Sequence, residues 1–258
     1  MFLQLLVNGL VTGSIYAIAA VGVSLVYGIL RLVNFAYGDM MAFGALIAYG
    51  CDGPLHQSMV VSALAGMAAT AVLSLLLDAV LWRPLRARRA GFMSLFLASI
   101  GLALVLRQAL LLVAGPQPRS YDVNPYRVFV LGSVRLSEAQ VIAIVTAAGT
   151  IVLIGLFLAR TTAGRVLRAM ADDRTLAALA GIDVGRATQV AWVISGLFAG
   201  LAGVLAGLVE YSFDPNFGFQ LLLPVFAAVV LGGIGSAYGA LAGGLALGIA
   251  EELCTWSG

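Results

Sequence analysis

FLQLLVNGLVTGSIYAIAAVGVSLVYGIL, residues 2–30, holds no charged side chain, and Gln4 and Asn8 are its most polar members. A helix crosses roughly 30 Å of hydrocarbon with about 20 apolar residues, so this run predicts a membrane span. Five further stretches meet the same measure: residues 32–51 with Asp39 as the one charge, 53–77, 91–114 with Arg107 near its far end, 138–159 and 187–209. Composition agrees. The chain is 62% hydrophobic and 10% charged, whereas a soluble domain is about half apolar and a quarter charged. The excess must face lipid. The fold class expected is all-α: a polytopic transmembrane helix bundle forming a single domain over residues 1–258. The N-terminus has neither a basic leader nor a small-residue cleavage site, so the first run reads as a retained span.

Arginine placement sets orientation. All 14 basic residues are Arg, and cytoplasmic connections carry the excess of positive charge. With the N-terminus outside, the inner connections hold Arg31, Arg83, Arg86, Arg88, Arg89, Arg160, Arg165, Arg168, Arg174 and Arg186. The outer side holds only Arg119, Arg127 and Arg135. Such scattered arginines do not form a nucleic-acid patch. Cys51 and Cys254 are too far apart for a metal-ligand spacing, and His56 is a lone loop histidine. No cofactor fingerprint is present.

Residues 215–250 are also free of charge, too long for one straight span and too short for two full ones with a loop. LGGIGSAYG, residues 231–239, interrupts them through Gly232, Gly233 and Gly235. A discontinuous glycine-rich C-terminal helix is therefore expected. It either lines a transport path, where non-helical backbone is tolerated at membrane depth, or forms two short helices joined by a glycine turn. Gly196, Gly200, Gly203 and Gly207 form one small-residue stripe, and Gly239, Gly243 or Gly244, and Gly248 another. Such stripes let helices approach closely in lipid. Asp39 falls in the opening turn of the second span, where a carboxylate complements a helix N-terminus; a gating or substrate contact is the other reading. Asp78 and Arg107 lie near span ends, within reach of the interface or of a partner charge.

The connection TTAGRVLRAMADDRTLAALAGID, residues 161–183, is far longer than the 2–8 residues usual between packed helices. Arg165, Arg168, Asp172 and Thr175 share one helical face; Leu167, Met170, Ala171 and Ala178 take the other. Arg174 intrudes on the apolar side, which two short helices with a break near Asp173 would accommodate. Gly181 suits a helix stop. Such a segment docks into a partner's groove or lies on lipid headgroups.

Three stretches carry a resemblance. Residues 164–182, GRVLRAMADDRTLAALAGI, resemble the cytoplasmic coupling segment of the Liv-type branched-chain amino acid permeases of ATP-binding-cassette (ABC) importers. Residues 8–40, with N-F-A-x-G-D at positions 34–39, resemble the start of the same family, and residues 226–251 its glycine-rich C-terminal element. The resemblance implies a permease subunit in a bacterial inner membrane, pairing with a second permease subunit as a homo- or heterodimer. Two cytoplasmic ABC ATPases would power it, and a periplasmic or lipid-anchored substrate-binding protein would deliver branched-chain amino acids. Gly164, Arg165, Arg168, Asp172, Asp173 and Gly181 would then form the ATPase-coupling segment. Asn34, Asp39, Gly232, Gly233 and Gly235 are the candidates for the translocation path or for helix breaks. Members of that family usually continue with one more span, so the resemblance implies either a truncated piece that lacks the final crossing or a short variant. The loop at residues 115–137, with Pro116, Pro118 and Pro125, is the expected docking place of the binding protein, or else a solvated hairpin.

No enzymatic role is expected: the chain has no Lys and no G-x-x-x-x-G-K-[ST] phosphate loop. The alternatives are a permease of the same family for an amide, urea or sugar, a stand-alone secondary transporter, and a non-transporting scaffold.

Overall fold

A computed structural model describes residues 2–122, 128–131 and 134–255. Eleven α-helices and one strand pair are seen among these residues. The long first run forms α1 (Phe2–Leu30), and α2 (Tyr37–Asp52) follows. α3 (Met59–Leu77) passes through a π-helical turn (Asp78–Trp82) into α4 (Arg83–Ala87). Then come α5 (Phe92–Ala114), the antiparallel strands β1 (Val128–Leu131) and β2 (Val134–Ser137), and α6 (Glu138–Arg160). A capping box opens α6: Ser137 Oγ accepts from the Gln140 amide, and the Gln140 side chain accepts from the Ser137 amide. The chain finishes with α7 (Thr162–Asp172), α8 (Arg174–Leu179), α9 (Val184–Glu210), α10 (Phe217–Gly232) and α11 (Ala237–Cys254).

Five of these helices are long and apolar enough to cross a membrane; α10 is a shorter apolar helix. α1 and α9 are largely buried at the centre, while α3, α5 and α6 turn most of their apolar surface outward. Leu112 is 86% and Val113 89% exposed. In water such faces would be a liability; in hydrocarbon they are the solvated side.

The small-residue stripes are the packing seams. Gly196 of α9 lies where a Cβ would come 2.7 Å from the Ala71 Cα of α3, and Gly200 where one would come 2.8 Å from the Met67 Cα. α11 runs antiparallel against α1: a Cβ on Gly244 would overlap the Ala17 backbone, and one on Gly248 the Gly13 backbone. Side chains this small let backbones touch, the close approach that holds helices together without a hydrophobic driving force.

Two sequence expectations change in detail. The second span starts late. Residues 31–36 are non-helical, with Leu32, Asn34 and Ala36 buried. Asn34 Oδ1 accepts from the Ala36 amide at 3.2 Å, and the Asn34 carbonyl from the Tyr37 amide. This local turn outcompetes the helix and redirects the chain, leaving α2 at 16 residues, about 24 Å long. The glycine-broken C-terminal stretch is a hairpin. Gly233 and Gly235 adopt φ of +92° and +91°, a region that glycine enters without the Cβ clash. Ser236 Oγ then caps α11 by accepting from the Gly239 amide. α11 folds back on α10 so closely that Gly232 and Gly239 face each other backbone to backbone. Of the two arrangements open from the sequence, this is the pair of short helices joined by a glycine turn.

The loop after α5 is stapled to the bundle rather than hanging free. Arg119 and Phe213 exchange both backbone hydrogen bonds, Tyr121 donates to the Ala45 carbonyl at 3.0 Å, and the Asp122 amide donates to Asp52 at 2.7 Å. Pro125 and Arg127 lie outside the described residues.

Candidate functional site

The sequence-predicted residues gather at two places. The first is the end of the bundle bearing α7 and α8. Thr161 Oγ1 caps α7 by accepting from the Gly164 amide at 2.9 Å. The helix ends at Asp173, whose backbone is extended and whose carboxylate accepts from the Thr175 and Leu176 amides at 2.7 and 3.0 Å. The break expected near Asp173 is therefore an N-cap that starts α8. α8 stops at Gly181 with φ +84°. The Gly181 amide donates to the Ala178 carbonyl and the Ile182 amide to the Ala177 carbonyl, both at 3.1 Å, the paired bonds of a Schellman ending.

Leu167 and Met170 are buried in a cluster with Val26, Ile29, Leu30, Leu32, Trp82 and Trp192, and α7 packs on α6, α1 and α9. Arg165, Arg168, Asp172, Asp173 and Gly181 are exposed, with Leu176 at 63% and Leu179 at 80%. Ala177 is buried where Ala178 was expected, because the break at Asp173 resets the helical phase of α8. Gly164 differs from its fellow candidates. It is buried, and a Cβ there would overlap the Phe157 carbonyl, so it seats α7 on the end of α6 and offers nothing to a partner. Gly164→Val should detach α7 while sparing the distant bundle; faster proteolysis confined to residues 160–185 would report it.

This end also meets the glycine turn. A cavity of about 260 Å³ is lined by Arg168 and Asp172 of α7 together with Gly235, Ser236 and Tyr238. Gly28 of α1 lies beside both Ala171 and Gly235, and the Tyr238 hydroxyl donates to the Gly155 carbonyl at 3.4 Å. The exposed polar face and the α10–α11 turn are thus neighbours, a juxtaposition that sequence spacing gives no sign of. Gly232 and Gly233 belong to this turn; Asn34 does not, and serves the break before α2.

The second place is an ion pair inside the bundle. Asp39, in the first turn of α2 and 1% exposed, accepts from Arg107 of α5: Nε lies 3.1 Å from Oδ1 and Nη2 3.5 Å from Oδ2. The guanidinium also lies 4.0 Å above the ring of Phe219 in α10. One side chain therefore ties three helices, through a charge-assisted bond and a cation–π contact. Asp78 is likewise buried and paired, with Arg86 at 2.6 Å across the π-helical turn. The partnership of Asp39 with Arg107 was invisible to local pattern. Two opposite charges, each alone in an apolar run, were the available signal.

Residues 5–257 match the protein family described as the branched-chain amino acid transport system permease component. The chain is 33% identical to the high-affinity branched-chain amino acid transport system permease protein BraD of Pseudomonas aeruginosa, over 97% of this chain and 85% of that protein. It is 31% identical to LivH of Salmonella typhimurium, over 98% and 85%, and 28% identical to the probable branched-chain amino acid transport permease LivH of Methanocaldococcus jannaschii, over 98% and 81%. No solved structure matches. With a family match over nearly its whole length and bilayer-length apolar helices, this chain belongs to the branched-chain amino acid transport permease family and is the multi-pass membrane permease component of an ABC importer.

Proposed function

We propose that this permease moves branched-chain amino acids, or solutes of similar size, paired with a second permease subunit. Two ATPases would seat on the face formed by Arg165, Arg168, Asp172, Leu176 and Leu179, and a substrate-binding protein would dock at the opposite end. The observation that carries the reading is the α7–α8 unit: anchored by Leu167 and Met170, capped at both ends, and left with an exposed mixed face. The relatives' names support the substrate class. The arginine distribution supports placing this unit in the cytoplasm and the N-terminus outside. Motion of α7 would reach the α10–α11 turn through the cavity shared by Arg168, Asp172 and Gly235, and the Asp39–Arg107 pair would hold α2, α5 and α10 beside the path.

The test is labelled-leucine uptake by vesicles holding the chain with its cognate ATPases and binding protein. Asp172→Arg combined with Gly181→Val should leave ATP hydrolysis running while uptake falls about tenfold or more. That is the effect of losing one charge-assisted contact of about 1.5–3 kcal/mol, with a β-branched residue forced into positive φ. Uptake per ATP equal to wild type would remove α7–α8 from the coupling role. Uptake of an amide or a sugar in place of leucine would leave that role standing and change only the substrate. For orientation, a cysteine at Leu179 should react with a membrane-impermeant maleimide in inside-out vesicles and not in right-side-out ones.

A further inference from the structure

Beside the α7–α8 unit lies an apolar groove between α3 and α9, bordered by Phe157 of α6 and Ala163 of α7. Val72, Leu75, Leu76, Val190, Val193 and Ile194 line a cavity of about 960 Å³ together with the polar side chains of Arg83, Arg186, Asp78 and Gln189. It adjoins a second cavity of about 580 Å³ lined by Arg83, Arg86, Arg174 and Arg186, with Asp78, Asp183 and Thr188.

The charges do not balance. Asp78 pairs with Arg86 at 2.6 Å and Asp183 with Arg186 at 3.3 Å. Arg83 and Arg174 form no ion pair among the described residues. Partial desolvation of Arg174, and then the nearby charge of Arg86, lower its affinity for the proton. Two polar atoms of the same cavity, Arg86 Nη1 and Thr188 Oγ1, are buried without a hydrogen-bond partner, although buried polar groups are nearly always satisfied. An apolar trough thus adjoins, through Arg83, a cavity that holds two guanidiniums without an ion pair and two unused hydrogen-bonding atoms. Basic pockets between membrane helices take anionic lipid headgroups.

The geometry points to a binding site for an anionic diacyl phospholipid, its phosphate against Arg83 and Arg174 and one acyl chain in the trough between α3 and α9. Such a lipid would wedge the π-helical turn at Asp78–Trp82 against α9, next to the stacked Trp82 and Trp192 rings 6.2 Å apart.

The experiment is thermal unfolding of the full-length chain in a neutral detergent with added dioleoyl phosphatidylglycerol, dioleoyl phosphatidylcholine or water-soluble glycerol phosphate. Phosphatidylglycerol should raise Tm by about 5 °C or more at saturation, with the other two near zero. Arg83→Gln with Arg174→Gln should lose most of that shift, as should Val193→Trp, which fills the trough and keeps the arginines. An equal shift from phosphatidylcholine would overturn the headgroup assignment, and a full shift from glycerol phosphate would overturn the lipid itself. A shift that survives the arginine pair, or survives Val193→Trp, would overturn the site.

Discussion

Replacing Arg107 with leucine should be among the most damaging single changes available in this chain. The substitution strands Asp39, 1% exposed, as an unpaired carboxylate between α2 and α5. Breaking a buried pair by deleting one partner costs about 3–5 kcal/mol, a large part of the stability a folded domain has to spare. It also removes the cation–π contact to Phe219, so α10 loses its tie as well. The expected result is a sharp fall in folded chain recovered in detergent, with earlier loss of the tryptophan signal on heating. Asp39→Asn combined with Arg107→Gln should recover much of the loss, because two neutral partners can still hydrogen-bond and no charge is left behind. Uptake separates structure from mechanism. If the neutral pair folds and transports, the charges serve assembly; if it folds and does not transport, they act in the cycle. Equal stability of Arg107→Leu and wild type would show that Asp39 is not buried as a charge.

The second large effect is expected at Gly244. A Cβ there would meet the Ala17 backbone, and neither helix can yield without parting the seam along Gly9, Gly13, Gly244 and Gly248. Gly244→Val should therefore cost more than the 1–3 kcal/mol typical of overpacking, since the obstacle is main chain and not a side chain able to rotate. Gly149→Val is the control: nothing lies within 4 Å of a Cβ at that position, and this change should leave unfolding within about 0.5 kcal/mol of wild type. Similar losses for both variants would mean that the seam is looser than the backbone distances state.

Much of this was legible in the chain itself, for reasons that can be stated. Apolar length is a property of one segment at a time, so five of the six expected spans are read directly, while the second comes out as a helix of only 16 residues. The helix break at Asp173 was legible because Arg174 conflicts with the apolar face of a continuous helix, and Asp is a good cap. The glycine turn at residues 233–236 was legible as a break but not as a hairpin, since either outcome leaves the same local pattern. The late start of α2 depends on Asn34 closing a turn whose backbone is buried by other helices, which no local count reveals. The Asp39–Arg107 pair joins residues 68 positions apart, and the π-helical turn at Asp78–Trp82 has no composition signal of its own. Gly164 was placed with the partner-facing residues because the resemblance carries over a whole segment, and a matched segment cannot tell a glycine that faces a neighbour in the same chain from one that faces another molecule.

The α1–α11 seam has a consequence for how the molecule is made. α1 leaves the ribosome long before α11, yet the surface it must cover with α11 waits for that helix. At about 5–20 residues per second, Gly13 precedes Gly248 by roughly 10–50 s. Throughout that interval the small-residue face of α1 lies open in the bilayer, free to pair with any other helix that presents one. α6, α9 and α10 arrive earlier and pack on parts of α1, but the strip around Gly9 and Gly13 waits for α11. Biogenesis of this permease is therefore a race between the ribosome and wrong partners, and co-expression with a helix bearing a competing glycine strip should lower its yield without touching the finished protein.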